Sequence, residues 1–241
     1  MRSRLISVRV AALVAASLAL WMSIAWAVSA PRLPSDLGPP ERARLERVAE
    51  AASVTTRVDT EAFLTRREVF EYLLDHPEFA THVTRTLRVA RYRIWQTSDG
   101  LFLDDGWGVT GHFSVVYAGA GTRVMYARGG YRQTAIPTVN GEAVAMIQYR
   151  ITPAGDDRDL VNATVSGYVK LDSALLSFAT KLAGSIAQGK ADLEARRLMK
   201  VFARVSRAID DNPSDVYERL RRRPDVPARE LEEFGRLLNL R

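Results

Sequence analysis

The sequence predicts an α+β fold: an antiparallel sheet of about seven strands followed by a long carboxy-terminal helix, behind an amino-terminal signal or anchor segment. Three observations carry this reading. Between Leu87 and Leu171 apolar residues alternate with period two, and turn signals interrupt them at regular intervals. From Asp172-Ser173 to Ile209 the spacing changes to that of a helix. At the other end, Arg2, Arg4 and Arg9 precede a stretch from Val10 to Pro31 that contains no charge.

That first segment, residues 1–27, has the layout of an export signal: a basic start, an apolar run, then small residues at Ala25-Trp26-Ala27. Cleavage after Ala27 is preferred to cleavage after Ala30, because Pro31 directly after the second candidate suits the enzyme poorly. A retained helix is the competing reading, since Val10 to Val28 approaches the roughly 20 apolar residues that span a bilayer. Basic residues ahead of the run would then leave the bulk of the chain outside the cytoplasm. Either way the expected location is periplasmic or extracytoplasmic. Without the three leader arginines the formal charge of +6 falls to +3, an ordinary mixed surface. Nucleic-acid binding loses its support. The absence of cysteine excludes disulfides, thiolate catalysis and lipoprotein anchoring.

Residues 28–52 read as a proline-rich linker, with four prolines between Pro31 and Pro40, followed by a short helix over Glu41 to Ala52. Ser53 to Asp59 predicts a strand. Thr65 with Glu68 three residues on predicts a capping box at the next helix, and Pro77 opens another. The meander follows. Strands are expected over Leu87 to Thr97, Leu101 to Leu103, Gly108 to Tyr117, Thr122 to Arg132, Ala143 to Thr152 and Leu160 to Leu171. The turns between them are Ser98-Asp99-Gly100, Gly119-Ala120-Gly121, Asn140-Gly141 and Ala154 to Asp157. In the long helix, Gly184 and Gly189 mark points of kinking or division. Asn212-Pro213 supplies an N-cap and a first helical residue for a charged, solvated tail over residues 210–241.

The order strand, helix pair, antiparallel meander and long helix, over residues 53–209, resembles the START-like (SRPBCC) helix-grip superfamily. Val54 to Val58 entering Arg67 to Pro77 is similar to its first strand and helix, and Leu160 to Leu171 running into Ala174 to Ile209 is similar to its last strand and lid helix. The length and glycine content of that helix, and the tail beyond Asn212, depart from the pattern. The resemblance implies a curved sheet around the helix, enclosing an apolar cavity for a lipid or similar molecule.

The residues themselves support one apolar sheet face: Ala143, Ala145, Ile147, Tyr149 and Ile151; Val161, Ala163, Val165, Gly167 and Val169; Val109, Gly111, Phe113, Val115 and Tyr117. Small residues on it favour a cavity over plain packing. The expected lining is Trp95, Phe113, Tyr117, Met125 and Tyr149, with Leu175, Phe178 and Leu182 from the helix. Arg128 shares parity with Val124 and Tyr126; if that is the inner face, it is a buried cation for an anionic head group.

No catalytic or metal-ligating residue is singled out, and no cofactor is expected. The three histidines lack HExxH or comparable spacing, Asp99, Asp104 and Asp105 read as loop solvation, and no serine sits in a GxSxG elbow. The leading expectation is an exported, non-enzymatic binder of a lipid or other hydrophobic small molecule. The alternatives are an envelope enzyme of the polyketide cyclase or dehydratase type, using Arg128 with Tyr126 or Tyr168, and a ligand-free envelope interaction module docking through its tail. The Arg219 to Arg223 cluster offers a membrane-surface contact, but Glu218, Asp225, Glu230, Glu232 and Glu233 largely balance it.

Overall fold

Alternating residues from Leu87 to Leu171 do form a meander, and in this computed structural model it belongs to an eight-stranded antiparallel curved sheet. The structure describes residues 32–133, 136–172 and 184–240. The leader over 1–27 and the three helix residues Leu175, Phe178 and Leu182 lie outside the described residues. The elements are α1 (Pro39–Glu50), β1 (Val54–Asp59), β2 (Phe63–Thr65), α2 (Arg67–Asp75), α3 (Pro77–Thr86), β3 (Arg93–Thr97), β4 (Gly100–Asp104), β5 (Val109–Gly119), β6 (Thr122–Gln133), β7 (Ile136–Gly155), β8 (Arg158–Leu171), α4 (Gly184–Asp211), α5 (Pro213–Arg221) and α6 (Ala228–Leu237). Strand order is β1-β8-β7-β6-β5-β4-β3, with β2 also paired to β8. The first strand closing on the last, with a carboxy-terminal helix against them, is compatible with a helix-grip arrangement.

Most expected turns form where their chemistry demands. Ser98-Asp99 links Thr97 to its partner Gly100. Asp156-Asp157 links Gly155 to Arg158, both residues at φ near +53° and therefore in the left-handed region that short hairpins need. Asn140-Gly141 does not turn. It lies inside the 20-residue β7, where Asn140 pairs with Gly130 and Gly141 with Gly129. The glycines serve close approach instead. Gly111, Gly129 and Gly141 stand side by side on three adjacent strands. A Cβ at Gly129 would stand 2.7 Å from Gly111 Cα and closer still to Thr110 O. Gly129→Ala is expected to cost about 1–3 kcal/mol in urea unfolding. Gly189, with nothing within 4 Å of an added Cβ, lies in a continuous α4 and does not divide it. Gly189→Ala should therefore stabilise by about 0.5–1 kcal/mol.

Three further expectations are corrected. Thr65 is not an N-cap: it ends β2, its hydroxyl donates to Arg66 O, and Arg66 occupies the cap position without a side-chain hydrogen bond. Residues 87–92 are not strand, since β3 begins only at Arg93, after the carboxy-terminal turn of α3. The tail is not solvated. Asn212 does cap α5, accepting from Asp215 N at 3.1 Å. However, Val216, Leu220, Phe234 and Leu238 are all buried, against Val69, Leu73, Phe79 and Val83 of α2 and α3 and Val205 and Ile209 of α4.

Each sheet face carries a helix. α4 packs on one, with Ala195 and Met199 against Val58, Ile147, Val161 and Val165. α1 packs on the other, with Leu45 and Val48 against Val124, Val144, Met146 and Tyr168. Tyr126 and Glu142 help to hold that second layer: Tyr126 donates to Glu142 Oε1, Lys170 Nζ lies 2.9 Å from Glu142 Oε2, and Arg44 of α1 lies over the Tyr126 ring at 4.4 Å. The Tyr126 and Lys170 hydrogen bonds hold the Glu142 carboxyl below its usual range.

His82 sits where α3 meets the segment between α5 and α6. Its Nδ1 is 3.6 Å from Asp225 Oδ2, with Arg85 and Arg223 on the same carboxylate. Burial lowers the His82 pKa from its ordinary 6.5, outweighing Asp225, which acts to raise it. A histidine depressed in the folded state contributes stability that is complete above about pH 6.5 and is lost as pH falls through the folded value. The wild type should therefore lose urea resistance as pH falls below about 6.5, and His82→Gln should flatten that slope.

Candidate ligand-binding face

Register assigns every strand residue to a face. On the α4 side, β7 and β8 present Ala143, Ala145, Ile147, Tyr149 and Ile151 and Val161, Ala163, Val165, Gly167 and Val169, the parity expected from the sequence. This concave face has two halves. In one, Val58, Ile147, Tyr149, Val161, Ala163 and Val165 are buried with Phe63 and Phe70, and Phe202 packs edge-on to Phe70 at 5.5 Å. In the other, the residues of two successive rows are only half-buried. One row runs Leu101, Phe113, Ala127, Ala143, Val169 and Val54; the next runs Val115, Met125, Ala145, Gly167 and Thr56. Ala127 and Ala143 occupy the centre of the first and Ala145 and Gly167 that of the second, so small residues leave the sheet surface hollowed at that point. The Thr56 hydroxyl is turned to Asp192 of α4. The second row thus carries no other polar side chain.

An ionic cluster around a buried arginine forms the boundary between the halves. Arg123, paired across the sheet with Ile147, enters the concave side and is 7% exposed. Asp75, at the end of α2, accepts from its Nε at 2.6 Å and from its Nη2 at 3.0 Å. Arg123 Nη1 donates to Gly119 O at 2.7 Å. Burial works against the guanidinium charge, but the Asp75 hydrogen bond and neighbouring Tyr149 leave the Arg123 pKa raised. Tyr149 lies under that guanidinium at 5.7 Å and donates to Glu71 Oε1 at 3.1 Å. Burial pushes the Tyr149 phenol up to about 12, so it remains a neutral donor.

The β4–β5 loop stands at the opposite rim. Asp104 Oδ1 accepts from Gly106 N, and Asp105 Oδ1 accepts from Trp107 N and Val109 N, so these carboxylates shape the loop. Trp107, 53% exposed, lies between Arg91 at 5.5 Å and Arg197 of α4 at 5.9 Å. Among the described residues, no group of three or more His, Asp or Glu side chains is placed to hold a metal ion.

Of the lining expected from sequence, Phe113, Met125 and Tyr149 lie on the concave face, Tyr149 within the packed half. Tyr117 does not. A β-bulge between Val115 and Tyr117 inverts the parity, pairing Tyr117 with Val124 on the α1 side, where its hydroxyl reaches Asp36. Trp95 is also on that side, in a row with Phe102 and His112, and its ring lies 5.0 Å from Phe102. The two-residue turn sets Trp95 opposite Phe102, so Ile94 faces the concave side in its place. Arg128 is exposed in the same outer row, opposite His112 and Glu142. Its partners Tyr126 and Tyr168 share the α1 face, so the acid/base group suggested for a cyclase-type enzyme does not meet the concave surface. The buried cation on that surface is Arg123. Its parity with Met125 was the available signal.

No protein-family model matches the chain, and no curated protein matches it. Among solved structures the chain is similar to a hypothetical protein from Helicobacter pylori, at TM-score 0.37 and 11% identity over 73% of this chain and 95% of that one. It is also similar to a truncated norcoclaurine synthase from Thalictrum flavum, at TM-score 0.28 and 14% identity over 60% of this chain and 92% of that one. The same enzyme in complex with dopamine and hydroxybenzaldehyde gives TM-score 0.27 and 12% identity over 69% and 92%.

Proposed function

We propose that this chain is an exported, non-enzymatic binding protein that holds a lipid or other hydrophobic small molecule on the half-buried part of its concave sheet face. The observation that carries the reading is the change along one continuous apolar face. Side chains that are buried at Ile147 and Val165 give way to half-buried small ones at Ala143, Ala145 and Gly167. Apolar surface left partly open is stabilised when a ligand removes it from water, at roughly 25 cal/mol per Å2. Few polar groups would be required, which matches rows containing Leu, Phe, Val, Ala and Met. Export rests on the leader sequence over residues 1–27. An extracytoplasmic address favours an envelope lipid over a cytoplasmic metabolite.

The reading is tested by titrating the full chain with N-phenyl-1-naphthylamine, an apolar dye that brightens on leaving water. Ala145→Trp should weaken binding by at least about tenfold, equivalent to about 1.4 kcal/mol, by filling the hollow beside Gly167. Circular dichroism would establish that the variant folds. A folded Ala145→Trp protein that binds the dye as the wild type does would remove the concave face from consideration.

A further inference from the structure

A pocket of about 480 Å3 lies at the foot of α4 and shares no residue with the half-buried rows. That volume falls within the usual range for small-molecule sites. Its floor is apolar, formed by Phe63, Leu64, Leu160, Met199 and Ala203. Leu64, 41% exposed, pairs across β2 and β8 with Leu160, so two apolar side chains stand together at the pocket. The wall is cationic. Arg196, Lys200 and Arg207 recur at helical spacing on one side of α4, and Arg158 faces them from the start of β8.

Like charges four apart on a helix repel one another, and elsewhere on α4 the cost is offset: Arg197 pairs with Glu194. Arg196, Lys200 and Arg207 have no ion-pair partner among the described residues. Three acids also reach the pocket. Asp210 is engaged by Arg66 at 3.4 Å, and burial raises its pKa. Glu61 and Asp211 are within ion-pair distance of no described cation. Arg158 is itself paired with Asp156 at 3.7 Å, so Arg196, Lys200 and Arg207 against Glu61 and Asp211 leave the lining a small excess of positive charge beside its apolar residues.

We infer that this pocket binds an amphiphile with one anionic head, a carboxylate or a phosphate monoester, and an alkyl chain. The head lies among Arg196, Lys200 and Arg158, where charge-assisted hydrogen bonds to guanidinium groups are strongest. The chain lies along Leu64, Leu160 and Ala203. This site is additional to the concave face, and neither depends on the other.

Calorimetric titration of the full chain with laurate, dodecyl phosphate, dodecanol and inorganic phosphate tests the inference. Laurate, dodecyl phosphate or both should bind, at least about tenfold more tightly than dodecanol or inorganic phosphate, and which of them binds identifies the head group. The R196E/K200E double variant should lose at least about tenfold for the anionic amphiphiles, and Ala203→Trp should block them by filling the floor. Ala145→Trp should leave them unchanged. Dodecanol binding as tightly as laurate and dodecyl phosphate would overturn the cationic role. Inorganic phosphate binding as tightly as dodecyl phosphate would overturn the amphiphile. Unchanged titration of a folded double variant, or loss of binding in Ala145→Trp, would overturn the location.

Discussion

Phe234→Ala is expected to destabilise the protein by about 3–5 kcal/mol, the range for emptying an aromatic site in a core that cannot collapse. Phe234 comes from α6, yet it is 0% exposed. Its ring lies 5.1 Å from Phe79 and 6.2 Å from Tyr72, while the Tyr72 hydroxyl bonds Glu230 O at 2.9 Å. Removal of the ring leaves a void between α2, α3 and α6. By the same argument, deletion of residues 212–241 should expose Val69, Leu73, Phe79 and Val83 and yield an aggregating chain rather than a trimmed one. Urea unfolding of the point variant and size-exclusion chromatography of the deletion check both. A deletion that stays monomeric and cooperative would return the tail to the status of an appendage.

Asp75→Ala should cost about 3 kcal/mol, because it leaves the Arg123 guanidinium buried without its carboxylate. The asymmetry of the pair is the informative part. The Arg123 side chain is 8% exposed and that of Asp75 is 40% exposed. Arg123→Met removes the charge from the interior and lets Asp75 return to water, so it should cost about 1 kcal/mol or less. Equal losses for the two variants would mean that the pair is solvated in both partners. Gly119 O and Thr122 O, which also accept from Arg123 Nη1, limit the cost of Asp75→Ala.

Much of this arrangement was legible in the alternation of β7 and β8, where Ile147 and Val165 identify the concave face without ambiguity. The misassigned residues share a physical cause. Parity reads a face only while the other face is polar, and α1 makes the outer face of this sheet apolar too. Val124 and Tyr126 then resemble inward residues, which drew Arg128 to the wrong side and left Arg123 unnoticed. The bulge at Val115 and Tyr117 is invisible to alternation, since it adds one residue without a glycine or proline to mark it. Asn140-Gly141 carries the strongest short hairpin signal, yet the tight row Gly111, Gly129 and Gly141 required the glycine in mid-strand. The tail is charged in composition, but most of its apolar residues, Val216, Leu220, Leu231, Phe234 and Leu238 among them, pack into one core cluster. Leu175, Phe178 and Leu182 belong to residues outside those described, so their expected place on the helix stands as part of the proposal.

The hollowed half of the concave face, as proposed, carries a hydrophobic ligand. Native mass spectrometry of the full chain, purified without denaturation from its own cells, addresses it most directly. The wild type should carry an adduct that organic extraction releases as a hydrophobic small molecule, and Ala145→Trp, folded to the same extent, should carry none. An adduct retained unchanged by Ala145→Trp, or a bare polypeptide mass for the wild type that added lipid does not alter, would contradict it.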